Sequence, residues 1–298
     1  VEYIRLTNTD LVVSRIAFGC EPLGGVDWGR VEADEVAGAV RTAFGLGINF
    51  FDTADVYGLG RSEERLAKAL GENRKEAVIA SKFGIGWVAD PGSGRARTFR
   101  NASARRVREA LEASLRRLRL ECIPFYFLHW PDPRTPLEET LAALERERQA
   151  GKIRYIGLSN CSAATIAEAA RIAPIAAVQV QYSLMARQAE EDLLPLCRRS
   201  AIAVLAYGVL AQGLLSGKVD AAARFGSDDR RSRLPHFAPE NLSRHVEQQR
   251  RMYRLAAAGG QTQAQFAVRW VLDQPGVACA IIGAKRPAQI VESAGATI

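Results

Sequence analysis

The chain has 298 residues, 48% hydrophobic and 24% charged, a composition ordinary for a globular protein with a large buried core. No stretch approaches the roughly 18 consecutive apolar residues of a membrane helix. The formal net charge is +7, yet arginines in runs such as Ala104-Arg105-Arg106-Val107-Arg108 are scattered among glutamates without interleaved aromatics, which favours a solvated helix face over a nucleic-acid interface.

In chain order, the opening V-E-Y-I-R-L-T-N-T-D has no basic start, apolar core or small-residue cleavage site, so no secretory signal is expected, and without an initiator Met the natural chain is expected to begin earlier. Segments around 5–7 and 11–13 flank the turn residues Asn8-Thr9-Asp10 and read as a small hairpin. Ile16-Ala17-Phe18-Gly19 reads as a strand, and 34–46 as a helix closed by Gly47 in a left-handed position. Ile48-Asn49-Phe50-Phe51 is the next strand, and Ser62-Glu63-Glu64-Arg65 opens a helix that ends at Gly71. Further strands are expected at 77–81, 125–128, 155–158, 178–180, 203–206 and 279–282. Helices are expected at 103–117, 136–150, 162–170, 190–200, 242–257, 263–273 and 287–293.

Eight short strands alternating with helices imply parallel pairing and a closed α/β fold. The expectation is a (β/α)8 TIM barrel with a short N-terminal β-hairpin, one domain over 1–298. No G-x-G-x-x-G follows the first strand, so the fingerprint of an open dinucleotide-binding sheet is absent. The irregular segments 83–102 and 214–241 follow strand ends on the face where such barrels carry their sites. Five scattered cysteines, Cys20, Cys122, Cys161, Cys197 and Cys279, with no C-x-x-C spacing, argue against a disulfide framework or a zinc site; reduced thiols in a cytoplasmic protein are expected.

Residues just past the strands supply the chemistry. Asp52 follows Phe51, Lys82 follows Ser81 and His129 follows Leu128, with Tyr57 in the loop after Asp52. A free phenol titrates near pH 10, and an adjacent ammonium lowers that value. A carboxylate holds the ammonium charged, and an imidazole opposite can donate to a carbonyl oxygen. Such a set suits proton delivery to a carbonyl receiving a hydride.

The motifs Phe51-Asp52-Thr53-Ala54-Asp55-Val56-Tyr57-Gly58, Ser81-Lys82-Phe83-Gly84, His129-Trp130-Pro131-Asp132, Gly157-Leu158-Ser159-Asn160, Gln179-Val180-Gln181-Tyr182 and Ile282-Gly283-Ala284-Lys285 resemble, in order, the signature of the aldo-keto reductase superfamily. The loop from Ala206-Tyr207-Gly208 to Ser216-Gly217-Lys218 resembles the bacterial branch related to potassium-channel β-subunits. The resemblance implies an NADP(H)-dependent oxidoreductase acting by carbonyl reduction, with Asp52, Tyr57, Lys82 and His129 as the catalytic tetrad and Tyr57 as general acid. It puts Gly19, Cys20, Asp52, Ser159, Asn160 and Gln181 around the nicotinamide, with Tyr207 stacking on its ring. It gives Gly208, Val209, Leu210, Ala211, Gln212, Gly213 and Lys218 to the pyrophosphate, and Arg231 to a closing loop. The adenosine end falls to Gly283, Lys285, Gln289 and Glu292, where Lys285 and Arg286 precede a helix N-terminus.

Expected pocket walls are Glu21, Trp28, Tyr57, Trp87, His129 and Trp130. The chain departs from the family pattern at Gln289, where arginine is frequent, at Ser293, where asparagine is usual, and at Cys20, where threonine is common. A further segment is expected beyond Ile298. The partner is a small carbonyl compound, with no nucleic acid, metal or membrane. The alternatives are a sugar or nucleotide-sugar keto-reductase or aldose dehydrogenase of the same superfamily, with Arg95, Arg97 and Arg100 meeting a diphosphate, and a low-turnover NADPH-sensing binding subunit.

Overall fold

The computed structural model describes residues 1–90 and 95–298. A hairpin of β1 (Tyr3–Arg5) and β2 (Val12–Ser14) leads into β3 (Ile16–Gly19), α1 (Ala33–Gly45), β4 (Phe50–Asp52), α2 (Arg61–Leu70) and β5 (Val78–Phe83). Then follow β6 (Ile85–Asp90), β7 (Arg95–Arg100), α3 (Ala104–Leu118), β8 (Ile123–Leu128), α4 (Leu137–Gln149), β9 (Ile153–Ser159), α5 (Ala163–Ile172) and β10 (Ile175–Gln181). The chain continues through α6 (Leu193–Arg199), β11 (Ala203–Tyr207), α7 (Pro239–Ala258), α8 (Gln263–Leu272), β12 (Val277–Gly283) and α9 (Pro287–Ala294).

Eight parallel strands close a barrel in the order β3-β4-β5-β8-β9-β10-β11-β12, with β12 pairing back onto β3. This is the expected TIM barrel with its N-terminal hairpin. Strand side chains alternate faces with a period of two. One set, including Ala17, Phe50, Val78, Ala80, Phe125, Phe127, Ala177 and Leu205, packs as one apolar cluster with Leu6, Leu11 and Val13 of the hairpin region. The other set, including Phe18, Phe51, Ile79, Tyr126, Leu158 and Val178, packs with the helices. The same count sends Asp52, Lys82, His129, Ser159 and Gln179 inward, each two residues beyond an inward-facing residue. The barrel's own period carries the polar groups to its C-terminal rim.

Three expectations change. The segment 83–102 is not irregular: β6 and β7 pair antiparallel from Ile85↔Arg100 to Asp90↔Arg95, with residues 91–94 outside the described ones. The alternation Ile85-Gly86-Trp87-Val88 carries that strand signal. The helix expected at 190–200 starts at Leu193, after a short turn at Gln188–Glu190. The helix expected from 242 begins at Pro239, whose missing N–H suits a first helical turn.

Gly157 faces Phe127 across β8 and β9, and a Cβ there would overlap the phenyl ring. Overpacking of this kind costs about 1–3 kcal/mol. Gly157→Ala should lower the thermal midpoint by roughly 2–4 °C per kcal/mol at this chain length, as read by calorimetry; an unchanged midpoint would show that the ring has room to shift.

Candidate active site

Lys82 lies at the centre of the rim. Its ammonium donates to Asp52 Oδ2 at 2.6 Å and to the Thr53 carbonyl at 2.8 Å, and reaches the Tyr57 hydroxyl at 3.4 Å. The side chains of Lys82 and Asp52 are only 2% and 6% exposed, so neither charge is screened by water and each depends on the other. Asp52 Oδ1 accepts from Gln179 Nε2 at 2.5 Å. The His129 ring meets Tyr57 edge-on at a centroid distance of 5.7 Å, and its buried Nδ1 has no protein partner.

Tyr57 is aimed by its turn. Its N–H donates to the Ala54 carbonyl at 3.2 Å, and the Asp55 N–H donates to the Lys82 carbonyl at 3.2 Å. Gly58, at φ +60°, lies against Gly24, where a Cβ would come within 2.7 Å of Gly58 N.

Burial pushes the Tyr57 phenol well above its usual value, and the charges of Glu21 and Asp52 push the same way. The expectation that Lys82 lowers it is not met in this state. Burial dominates, and the ammonium lies nearer Asp52, at 2.6 Å, than the phenol, at 3.4 Å. Tyr57 is therefore a protonated phenol at neutral pH. Burial, with help from the Lys82 charge, holds His129 well below its usual range, so the imidazole is neutral.

These groups form the floor of a cavity of about 1220 Å³. Its wall includes Gly19, Cys20, Ser159, Asn160, Tyr207, Gly208, Val209, Leu210, Gln212, Gly213, Lys218, Arg231, Gly283, Lys285, Gln289 and Glu292, as well as Glu21, Trp28 and Trp130. Asn160, at φ 56°, donates to the His129 carbonyl at 2.8 Å and accepts from the Tyr207 hydroxyl at 2.6 Å. Cys20 is fully buried, and burial raises its thiol well above the usual range; it is a packing residue.

Three expected residues lie outside the wall. Gln181 is exposed: it has the inward parity of Gln179 but stands two residues, about 7 Å, further along β10 and above the rim. Gln179, two residues earlier, is buried against Asp52 and lines the cavity. Ala211 packs into an apolar cluster with Leu214 and Phe237. Trp87 stacks on the Arg106 guanidinium at 5.1 Å instead of facing the cavity. Of the arginines offered to a diphosphate, Arg100 lies over the Trp130 ring at 5.0 Å, Arg97 is exposed outside the wall, and the Arg95 side chain lies outside the described residues.

A strap crosses the mouth. Trp28 bridges Asp229, the Arg230 N–H donates to the Asp27 carbonyl at 3.0 Å, and Arg233 pairs with Asp27 at 2.7 Å. Arg230 forms an ion pair with Glu21 and covers the Trp28 ring at 5.0 Å. Lys285 donates to the Trp28 carbonyl, and burial and Arg231 pull its ammonium below the usual value. Arg286, expected beside Lys285 at the helix N-terminus, and Ser293, noted as a departure from the family pattern, also line the cavity, as do Arg230 and Ser216, which were not among the expected residues. Arg230 adjoins the expected Arg231 in a run of basic residues, and nothing in its spacing singles it out.

The residues present fit a nicotinamide dinucleotide. The turn Ala211-Gln212-Gly213 runs at φ 45°, 53° and 94°, with the Ala211 and Gly213 N–H groups donating to the Gly208 and Leu210 carbonyls, and it brings Gln212 and Gly213 to the same cavity wall as Lys218, a cation suited to a phosphate. Lys285 and Arg231, the latter paired with Asp229 at 2.6 Å, line the other end, and the His129 ring stands edge-on to the phenol.

The model of the aldo/keto reductase family matches residues 15–297. The chain is 36% identical over 293 residues to aldo-keto reductase YhdN of Bacillus subtilis, covering 97% of this chain and 87% of that one. It is 36% identical to a probable aldo-keto reductase 1 of Glycine max over 92% of this chain and 78% of the plant protein. Among solved structures, the glycerol dehydrogenase AKR11B4 of Gluconobacter oxydans superposes with a TM-score of 0.92 at 38% identity, over 99% of this chain and 90% of that one. The holo form of aldo-keto reductase AKR11C1 of Bacillus halodurans superposes at 0.80 with 26% identity, over the same shares.

Removing one partner of the buried pair strands the other charge. Lys82→Met should cost roughly 3–5 kcal/mol, and Asp52→Asn with Lys82→Met should cost less than the lysine change alone. Urea unfolding of both variants tests this; additive losses would show that the pair is not coupled.

Proposed function

The chain belongs to the aldo/keto reductase family, and from that premise we propose that it reduces an aldehyde or ketone to the alcohol with NADPH as hydride source. The observation that carries the reading is the contact of the protonated Tyr57 phenol with the buried Lys82–Asp52 pair, beside a neutral imidazole, on the floor of one large cavity.

When bound, NADPH supplies a hydride to the carbonyl carbon. The chain's own groups do the rest. Tyr57 holds the proton that passes to the carbonyl oxygen. Lys82, held in place by Asp52 at 2.6 Å, stabilises the phenolate left behind. Neutral His129 can donate a hydrogen bond to the substrate oxygen, which orients it over Tyr57. Ser159, Asn160 and Gln179 would hold the carboxamide, with Gly19 and Cys20 packing nearby and Tyr207 stacking on the ring. The turn from Gly208 to Gly213, with Lys218 and Arg231, would hold the pyrophosphate. Gly283, Lys285, Gln289 and Glu292 would hold the adenosine end. Two cations at 285 and 286 support a phosphorylated ribose, and hence NADPH over NADH. The same reading takes 1–298 as one barrel domain, supported by the closure of β12 onto β3.

The likeness to a Gluconobacter glycerol dehydrogenase supports a second reading, in which a small polyol or sugar is oxidised at the same site. The nucleotide-sugar version is less well supported, because Arg97 and Arg100 are not in the cavity wall.

Two measurements test the proposal. Tyr57→Phe should lower turnover of an aldehyde panel by about 10²–10⁴-fold, the range ascribed to a positioned general acid, while NADPH affinity by fluorescence stays near wild type. Substantial residual turnover would defeat the tyrosine-acid mechanism. Parallel assays with NADPH, NADH and glycerol plus NADP⁺ decide the cofactor and the direction.

A further inference from the structure

Beneath the site lies a second buried ion pair that the chemistry above does not use. Asp55, its side chain 1% exposed, accepts from Arg106 Nη2 at 2.5 Å. Arg106 comes from the first turn of α3, where Ser103 Oγ caps its backbone N–H at 3.3 Å. The same Nη2 donates to the Ile85 carbonyl at 3.2 Å, and the guanidinium lies 5.1 Å from the Trp87 ring. One planar group thus grips three things: a carboxylate, a main-chain carbonyl and an aromatic face.

Both ends of this grip lead to the cavity. Asp55 is part of the turn that aims Tyr57, and its N–H is tied to the Lys82 carbonyl. Ile85 is the first residue of β6, and its side chain lines the cavity with Ala96 and Thr98 from β7. Trp87 faces Thr98 across the hairpin. The base of the hairpin is also closed by the bond from Asn101 N–H to the Gly84 carbonyl at 2.9 Å, and Arg100 ties its other strand to the loop after β8, donating to the Pro131 carbonyl at 3.4 Å and lying over the Trp130 ring. Stability alone accounts poorly for the pair: a buried ion pair seldom outperforms apolar packing of equal volume. Here Asp55 Oδ1 and Arg106 Nε also have no protein partner. Placement is the better account. Arginine suits the task because its rigid fork and flat face serve several partners at once, as an ammonium does not.

We propose that Arg106 is a positioning residue. Through Asp55 and the Ile85 carbonyl it joins the turn carrying Tyr57 to the hairpin wall, and so sets how large a carbonyl compound can lie against that wall with its oxygen at the phenol. The inference rests on the reductase reading above.

Burial lifts the Asp55 carboxyl to about 7 even with Arg106 beside it, so Arg106→Met alone would also change its protonation; the working variant is therefore Asp55→Asn with Arg106→Met, which removes both titratable partners. Trp87→Leu is the second variant and removes only the ring against the guanidinium. The measurements are kcat and KM for propanal and for naphthaldehyde with NADPH, and NADPH binding by fluorescence titration. In the double variant kcat should fall about tenfold with both aldehydes, since small misplacements of a reacting group are costly. KM should rise about fivefold for naphthaldehyde only, a loss of binding and not of chemistry. Trp87→Leu should show the KM rise with a smaller fall in kcat.

A loss of kcat that only tracks the NADPH-binding titre, with both KM values unmoved, would overturn the proposal and leave a structural role. Wild-type kinetics in the double variant would overturn it too. If the double variant does not fold, Trp87→Leu decides, and an unmoved naphthaldehyde KM overturns the proposal. Wild-type protein that binds NADPH but reduces neither aldehyde would bring down the reductase reading and this inference with it, whereas normal wild-type turnover with unmoved variants sinks only the inference.

Discussion

An ammonium and a carboxylate 2.6 Å apart, both almost wholly out of water, sit at the top of a barrel above an apolar cluster that includes Phe50, Ala80 and Phe127. Desolvating either ion alone would cost several kcal/mol, so each is held in place by its need for the other. Lys82 and Asp52 come from neighbouring parallel strands, β5 and β4, and can meet only if those strands pair in the observed register. That register also stacks Phe50 and Ala80 below them in the barrel core. The site is thus continuous with the packing beneath it. Gln179, reaching across from β10 to the second Asp52 oxygen, ties a third strand into the same constraint.

That coupling explains why so much of the site was legible. Strand alternation, read from apolar residues alone, carries inward parity past the last buried residue to the next position of the same parity. Asp52, Lys82 and His129 all fall there, and so does Ser159. Parity cannot say how far a strand rises above the rim. In Gln179-Val180-Gln181 both glutamines have the inward parity, and only the length of β10 separates the one that meets Asp52 from the one that meets solvent. Trp87 fails for a different reason. A hairpin off the barrel has its own faces, and a cation from α3, nineteen residues later in sequence, competes for the ring. Arg230 was invisible because its partners, Glu21 and Trp28, are some two hundred residues away.

The mouth of the cavity follows a different logic from its floor. The floor is fixed by buried charge and short strands. The strap of 27–29 against 228–233 is held by loop hydrogen bonds and by ion pairs whose side chains are part-exposed, such as Asp27 with Arg233. Pairs of that kind are individually weak. The strap is nonetheless coupled to the floor, because Arg230 and its partner Glu21 both act on the Tyr57 phenol. Trp28 is the pivot, because its ring takes Arg230, its carbonyl takes Lys285, and its backbone bridges Asp229.

The charge balance of the floor bears on both directions of the proposed reaction. Lys82 and Asp52 cancel, His129 is neutral and Tyr57 keeps its proton, so the resting site carries no net charge where the carbonyl would lie. Negative charge then appears only as the carbonyl carbon accepts hydride, on an oxygen beside a phenol O–H and within reach of an ammonium. In a buried site that charge is poorly solvated until the proton moves, which couples proton transfer tightly to hydride transfer. For alcohol oxidation the site would first have to hold a phenolate against the same burial that raises the phenol. Reduction ends on that same phenolate, so both directions call on the Lys82 ammonium beside Tyr57. In the resting geometry the ammonium lies nearer the carboxylate, at 2.6 Å, than the phenol, at 3.4 Å, and in either direction of the proposed reaction the phenolate state draws on the Lys82 charge more than this state does.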